Sequence, residues 1–314
     1  MPLDARARRF LQTLAAMSPT SALSLSVSER RAGLTQLMSF SGRAPQLASV
    51  EDRTLPGPDG ALVVRIYTPE AALAPVLLPA LVYFHGGGLV AGSLDTHDAI
   101  CRALAAASGW RVLALDYRLA PEHRFPAAIA DGCTAVTWIA THSQEWGVDR
   151  QRLGICGDSA GATLAAVVCQ ALVSSAQVPL ALQLLLCPIT DFAGSTESRR
   201  ALAEGYLVDE ATLQHDLRYY LSPADSAADP RVSPLRAADL ATLPPTIVHT
   251  AEYDPLRDEG EAYAERLRAA GVKTIYRCHP GMIHLFYGMG GLIPYAATAF
   301  QQMGTDIRSL LGEP

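Results

Sequence analysis

The sequence predicts an α/β fold, a mostly parallel eight-stranded sheet flanked by helices and carrying a helical cap. Three observations predict it. From residue 80 onward, short runs that are apolar throughout alternate with helical segments, the pattern of parallel strands buried on both faces. Ahead of them, two strand-like runs flank a turn rich in Pro and Gly, which reads as an antiparallel hairpin. The alternation then pauses between Asp191 and Pro244, where helical segments stand without strands. With 314 residues, 49% of them hydrophobic and 18% charged, the chain has material for a large core.

Residues 1 to 45 read as helical. Leu3, Phe10, Leu11, Leu14 and Met17 fall on one face of an amphipathic helix. Arg6, Arg8 and Arg9 before Phe10-Leu11 invite comparison with a secretory leader, but Gln12 and Thr13 break the apolar stretch. Ser28-Glu29-Arg30-Arg31 opens a second helix through Met38. Strands follow near Val50 and over 62–67, separated by the breaker run Pro56-Gly57-Pro58-Asp59-Gly60. The alternating part then gives strands over 80–84, 110–116, 152–156 and 180–187. Between them lie helices over 98–108, from Pro126 to about Trp146, and from Ala160 onward; Pro126 suits a first helical turn. Helices over 197–206 and 209–221 fill the pause, the second with Asp209 as N-cap. Strand 245–250, helix 258–270, strand 273–278 and a helix from about 293 to 311 complete the chain. The simplest organisation is a catalytic α/β unit of residues 46–191 and 223–314, capped by residues 1–45 and the insert 192–222.

Charge and composition narrow the function. A net charge of −6 and the lack of any Lys/Arg block exclude a nucleic-acid footprint. No run approaches the roughly 18 apolar residues of a membrane span, so the chain reads as soluble and cytoplasmic. The six cysteines are scattered, with no C-x-x-C and no histidine at metal-ligand spacing. They read as buried free thiols in a reducing compartment, and neither a metal nor a cofactor is expected.

The chemistry centres on Gly157-Asp158-Ser159-Ala160-Gly161, which stands between an apolar strand and a helix. Strand, G-x-S-x-G, helix is the setting of a nucleophilic serine on a tight turn, with the helix N-terminus aimed where an oxyanion would form. Such a serine needs a base, an orienting carboxylate and oxyanion donors. Asp254 and His284 follow strand ends in the order such sites use, with Asp258 and His279 as the competing carboxylate and imidazole. His85-Gly86-Gly87-Gly88 directly follows strand 80–84, and its side-chain-free amides suit a developing negative charge. Asp158 reads as a local hydrogen-bonding residue and His249 as structural, while His97, His142 and His215 have no catalytic claim.

Five blocks in order carry a resemblance. Tyr83–Gly88, Asp116–Ala128, Gly157–Gly161, Asp254–Gly260 and Pro280–His284 resemble the hormone-sensitive-lipase group of α/β-hydrolases, the bacterial family IV carboxylesterases. The resemblance implies Ser159 as nucleophile, His284 as general base then acid, and Asp254 as the group orienting it. It implies the N–H groups of Gly86, Gly87 and Ala160 as the oxyanion hole, with His85 and Gly88 supporting that loop and His123 supporting the site from behind. Tyr206, Leu207 and Tyr220 are candidates either for lining the cap pocket or for ordinary packing. Two departures stand out: Ala162 and Leu285 occupy positions where the family often has glycine, and Leu285 is expected to narrow the alcohol side of the pocket. The implied function is a cofactor-free serine carboxylesterase for short- to medium-chain acyl esters. An amidase or aryl-formamidase on the same scaffold is the alternative. A non-catalytic receptor, as in the plant gibberellin receptors that have lost the histidine, is disfavoured because Ser159, Asp254 and His284 are all present. Dimers are common in the family, and strand 273–278 would offer a sheet edge for a homodimer.

Overall fold

Continuous apolar runs are stable as strands only where both faces are covered, and the computed structural model covers them with helices on each side. It describes residues 1–17, 22–70, 77–175 and 178–312. The eight strands are β1 (Ser49–Gly57), β2 (Gly60–Thr68), β3 (Leu78–Phe84), β4 (Arg111–Asp116), β5 (Val148–Asp158), β6 (Leu182–Leu186), β7 (Thr246–Tyr253) and β8 (Thr274–Ile283). They form one sheet in the order β1-β2-β4-β3-β5-β6-β7-β8. β1 pairs antiparallel with β2, and β2 antiparallel with β4; every other neighbour is parallel. The opening hairpin is tighter than the sequence suggested, with Gly57 opposite Gly60 and only Pro58-Asp59 between.

Period-2 geometry still sorts the buried strands. On β3, Val82 and Phe84 join one hydrophobic cluster while Leu81 and Tyr83 join the other. The first cluster is closed by α4 (Ala127–Thr141), α5 (Ala160–Ser174) and α8 (Arg257–Ala269). The second is closed by α3 (Asp98–Ser108), α9 (Tyr295–Leu311), α1 (Ala5–Met17) and α2 (Val27–Met38). Each fully buried Leu, Ile or Phe contributes roughly 1.5–3 kcal/mol.

Several boundaries moved. Helix α2 is capped by Ser26, not Ser28: Ser26 Oγ accepts from Glu29 N, and the Glu29 carboxylate accepts from Ser26 N, a reciprocal capping box. α4 stops at Thr141, because residues 142–147 must turn, with Gly147 at φ +62, to bring the chain into β5. The helix expected over 197–206 is only α6 (Glu197–Ala201), since Gly205 (φ +85) and Leu207 (φ +76) adopt left-handed conformations that no α-helix contains. α7 (Glu210–Tyr220) forms as expected, with the Asp209 carboxylate accepting from Thr212 N at 2.7 Å. β5, β7 and β8 run further than their apolar cores, so Ser159 and His284 each follow directly on a strand's last residue and Asp254 on that of β7. β8 is an edge strand of the sheet. No described helix is long and apolar enough to cross a membrane.

Candidate active site

Ser159 stands between β5 and α5 with φ 52 and ψ −125, a conformation that costs a non-glycine residue on the order of 1–3 kcal/mol. Its backbone is fixed by the bond Ser159 N to Leu186 O (2.8 Å) at the end of the neighbouring β6. Gly161 permits the turn's close approach to β3, because a Cβ there would lie 2.2 Å from Phe84 O. Ser159 Oγ lies 3.0 Å from His284 Nε2, and His284 Nδ1 lies 2.7 Å from Asp254 Oδ2. The other Asp254 oxygen accepts from Leu256 N at 2.9 Å, which fixes the carboxylate plane.

The competing residues are elsewhere engaged. Asp258 accepts from Ser198 N (2.6 Å) and pairs with Arg257, tying α6 to α8. His279 bonds His249 Nδ1 (3.1 Å) and Tyr295 Oη (3.2 Å), and His249 bonds Asp306 (3.0 Å), all behind the site. His123 is exposed and gives the site no support, a correction to the expectation; the Asp116–Ala128 block acts instead through Tyr117, whose hydroxyl donates to His85 O at 2.6 Å.

The glycine loop is corrected in one respect. Gly86 does not present its N–H to the cavity but donates it to Asp158 Oδ1 at 2.8 Å. Gly87 and Gly88 line the cavity, and their N–H groups have no acceptor among the described residues. The N–H of Ala160, the first residue of α5, has no intrahelical partner either. Three consecutive glycines give a sequence no means of telling which amides point where. Gly88 must be glycine on two counts: φ +69, and the Asp216 carboxylate above it, 1.8 Å from where a Cβ would stand. His85 is buried, stacked on Tyr117 at 4.4 Å, with Nδ1 2.9 Å from Gly86 O. Burial, with His97 beside it, pushes its pKa down to about 3, so it is neutral.

Asp158 is the hub beneath this loop. Wholly buried, it accepts from Tyr83 Oη (2.5 Å) and Gly86 N, with His97 Nε2 3.4 Å from its second oxygen. Burial alone would push this carboxyl up, but His97 and the Tyr83 hydroxyl hold it below the ordinary range. His97 is thus part of the site although nothing in the sequence near it signals this.

A cavity of about 250 Å³ opens over Ser159. Its roof comes from α1, α2 and α7, and its sides include Ile189, Phe192 and Leu213. Leu207 and Leu285 line it; Leu285 has φ 57, which explains why glycine suits that position. Tyr206 does not line it, being stacked on Tyr253 at 5.8 Å, and Tyr220 packs edge-on against Phe125. Arg30 of α2 and Asp216 of α7 meet in a bidentate pair (2.8 and 3.1 Å), and His215 Nε2 lies 3.0 Å from Leu25 O.

All six cysteines are free, and four are buried. Cys187 stands next to the relay. Its thiol, Asp254 and His284 are the one set of metal-ligating atoms within 4.8 Å of one another among the described residues. Of these groups, His284 Nδ1 is engaged with Asp254 Oδ2 at 2.7 Å and His284 Nε2 with Ser159 Oγ at 3.0 Å. Burial and the Asp254 carboxylate push the Cys187 thiol well above its ordinary value, so it stays protonated.

A family model of the α/β-hydrolase fold matches residues 81–288. The chain belongs to this family. It falls among the hormone-sensitive-lipase-like carboxylic ester hydrolases. Esterase LipI of Mycobacterium tuberculosis is 40% identical over 268 residues, covering 85% of this chain and 83% of its own. The ethyl acetate hydrolase of Pseudomonas putida is 37% identical, covering 82% and 81%. Among solved structures, an ester hydrolase from the Lake Arreo metagenome, complexed with a bipyridine phosphonate derivative, superposes with a TM-score of 0.95 at 38% identity, covering 99% of both chains. A hyperthermophilic esterase from Pyrobaculum calidifontis gives 0.92 at 37% identity, covering 98% and 99%. On this scaffold Ser159, His284 and Asp254 are hydrogen-bonded in line at the carboxyl ends of β5, β8 and β7.

Proposed function

We propose that this protein hydrolyses short- to medium-chain carboxylic esters through an acyl-enzyme on Ser159. The observation that carries the reading is the continuous relay from Ser159 Oγ through His284 to Asp254, at 3.0 and 2.7 Å. Ser159 Oγ adds to the ester carbonyl carbon while its proton passes to His284 Nε2, and the C=O electron pair moves to oxygen. The N–H groups of Gly87, Gly88 and Ala160 receive that oxyanion, supplemented by the positive end of α5. The intermediate collapses with loss of the alcohol, which takes its proton from His284. Water then adds to the acyl-serine, giving a proton to His284, and collapse frees the acid as Ser159 regains its proton. The balance is ester plus water to acid plus alcohol.

Residues 1–45 and 192–222 act as the cap that shapes the pockets, and Leu285 restricts the alcohol side. The modest cavity, about 250 Å³, favours short to medium chains. The test is hydrolysis of p-nitrophenyl acetate to octanoate by wild type and Ser159→Ala. The variant is expected to lose roughly 10³-fold or more in kcat; equal rates would overturn the reading.

A further inference from the structure

The cavity over Ser159 shares part of its wall with a neighbouring groove. Leu14, Gly33 and Leu37 line the cavity, and the same three residues line the groove, of about 740 Å³, between α1 and α2. The groove's walls follow helical spacing: positions 6, 9, 10, 13 and 14 face it from α1, and 33, 36 and 37 from α2. Between the two spaces stands Gly33. A glycine inside a helix is less stable than alanine, and no contact explains its choice here, because a Cβ would meet nothing within 4 Å. The missing side chain leaves unfilled space beside the wall that the cavity and the groove share.

The groove itself has a defined chemistry. Its base is apolar, with Phe10 and Phe40 edge to face at 6.1 Å, and Phe40 is 38% exposed. Its rim carries Arg6 and Arg9, both exposed. Among the described residues neither has an ion-pair partner, and no acidic residue lines the groove. In a chain of net charge −6 this is a local cationic end on an apolar trough.

We propose that this groove is a second arm of the substrate site. It takes the apolar stem of an ester whose far end bears a carboxylate, the stem passing over Gly33 and the carboxylate meeting Arg6 and Arg9. Guanidinium groups pair well with carboxylates, but at an exposed rim the selectivity is modest and salt-sensitive. The inference rests on the esterase reading of Ser159 and names the substrate class for it.

The experiment compares p-nitrophenyl octanoate and decanoate with the mono-p-nitrophenyl esters of octanedioic and decanedioic acids, using p-nitrophenyl acetate as reference. Wild type is expected to favour the carboxylate-ended esters in kcat/KM, through KM, by roughly three- to tenfold at low salt, with the advantage shrinking at high salt. Arg6→Gln with Arg9→Gln should erase that preference, and the double Glu variant should reverse it. Gly33→Leu, a better helix former than glycine, should lower the ratio of decanedioate to acetate hydrolysis. No preference in wild type, a preference that survives the Gln pair, or an unchanged ratio in Gly33→Leu would each overturn the groove assignment. Acetate hydrolysis separates the two readings. If wild type cleaves it no faster than Ser159→Ala, the esterase reading fails; if it cleaves it normally while the groove tests fail, only the groove assignment falls.

Discussion

Beneath Ser159 the cavity floor is locked: Asp158 has no exposed surface and ties Tyr83 and the glycine loop together with bonds of 2.5 and 2.8 Å. Above Ser159 the roof is joined differently. Helices α2 and α7 meet through the Arg30–Asp216 pair, whose side chains remain 16% and 6% exposed, and through His215 against the chain at Leu25. The floor is built on the ends of adjacent buried strands, which leave it one arrangement. The roof rests on helices brought together from separate parts of the chain. On the proposed function, the contrast makes reactivity the expected property of the floor and selectivity that of the roof.

The sharpest way to break this division is Asp158→Asn, which keeps the shape but removes the charge beside His97 and weakens the hold on the glycine loop. We expect kcat on p-nitrophenyl acetate to fall on the order of 10²-fold, with KM nearly constant, as when an oxyanion donor is displaced. A change confined to KM would show that the floor does not position the donors.

Acid tests the stability of the loop's support and of the histidine cluster behind the site. His85 and His279 are both held neutral, with pKa values pushed down by burial to about 3. Between about pH 6.5 and 3 the unfolded chain binds protons at these residues that the folded chain does not. Stability therefore falls as pH drops through that window, by up to about 1.4 kcal/mol per pH unit for each histidine. Urea midpoints measured from pH 7 to 4 check it, and His279→Gln should flatten the slope. An unchanged slope in that variant would remove His279 from the account.

The roof should respond least. Asp216→Ala leaves Arg30 without its partner, and KM is expected to rise roughly three- to tenfold while kcat changes less. A double-mutant cycle with Arg30→Met measures the coupling directly. A kcat loss as large as that of Asp158→Asn would erase the distinction between floor and roof.

Much of the floor was readable from the residues alone. An apolar run before Gly157–Gly161 and an apolar helix after it can only be a buried strand and a buried helix, so the turn between them has to be tight. Asp254 and His284 were readable because strand ends in a parallel sheet gather on one edge. The true ends of β7 and β8 lay beyond their apolar cores, since the last residues pair through backbone bonds that no hydropathy pattern records. The exposure of His123 and the loss of Tyr206 from the cavity were equally invisible. Each depends on how an irregular segment turns, and Gly205 and Leu207 at positive φ decided the second.

What the sequence determined by itself was the sheet and its helices, because hydrophobic period and turn chemistry are local properties; the choice of Ser159, Asp254 and His284 came from the family resemblance of the blocks that hold them. Only the tertiary structure decided which amides of the glycine loop face the cavity, that His97 and Asp158 brace it from below, and that Gly33 stands in the wall shared with a second groove. These outcomes arise from contacts between segments far apart in the chain. Gly88 lies under Asp216, and Gly86 against Asp158, only once the sheet and the roof have closed on each other.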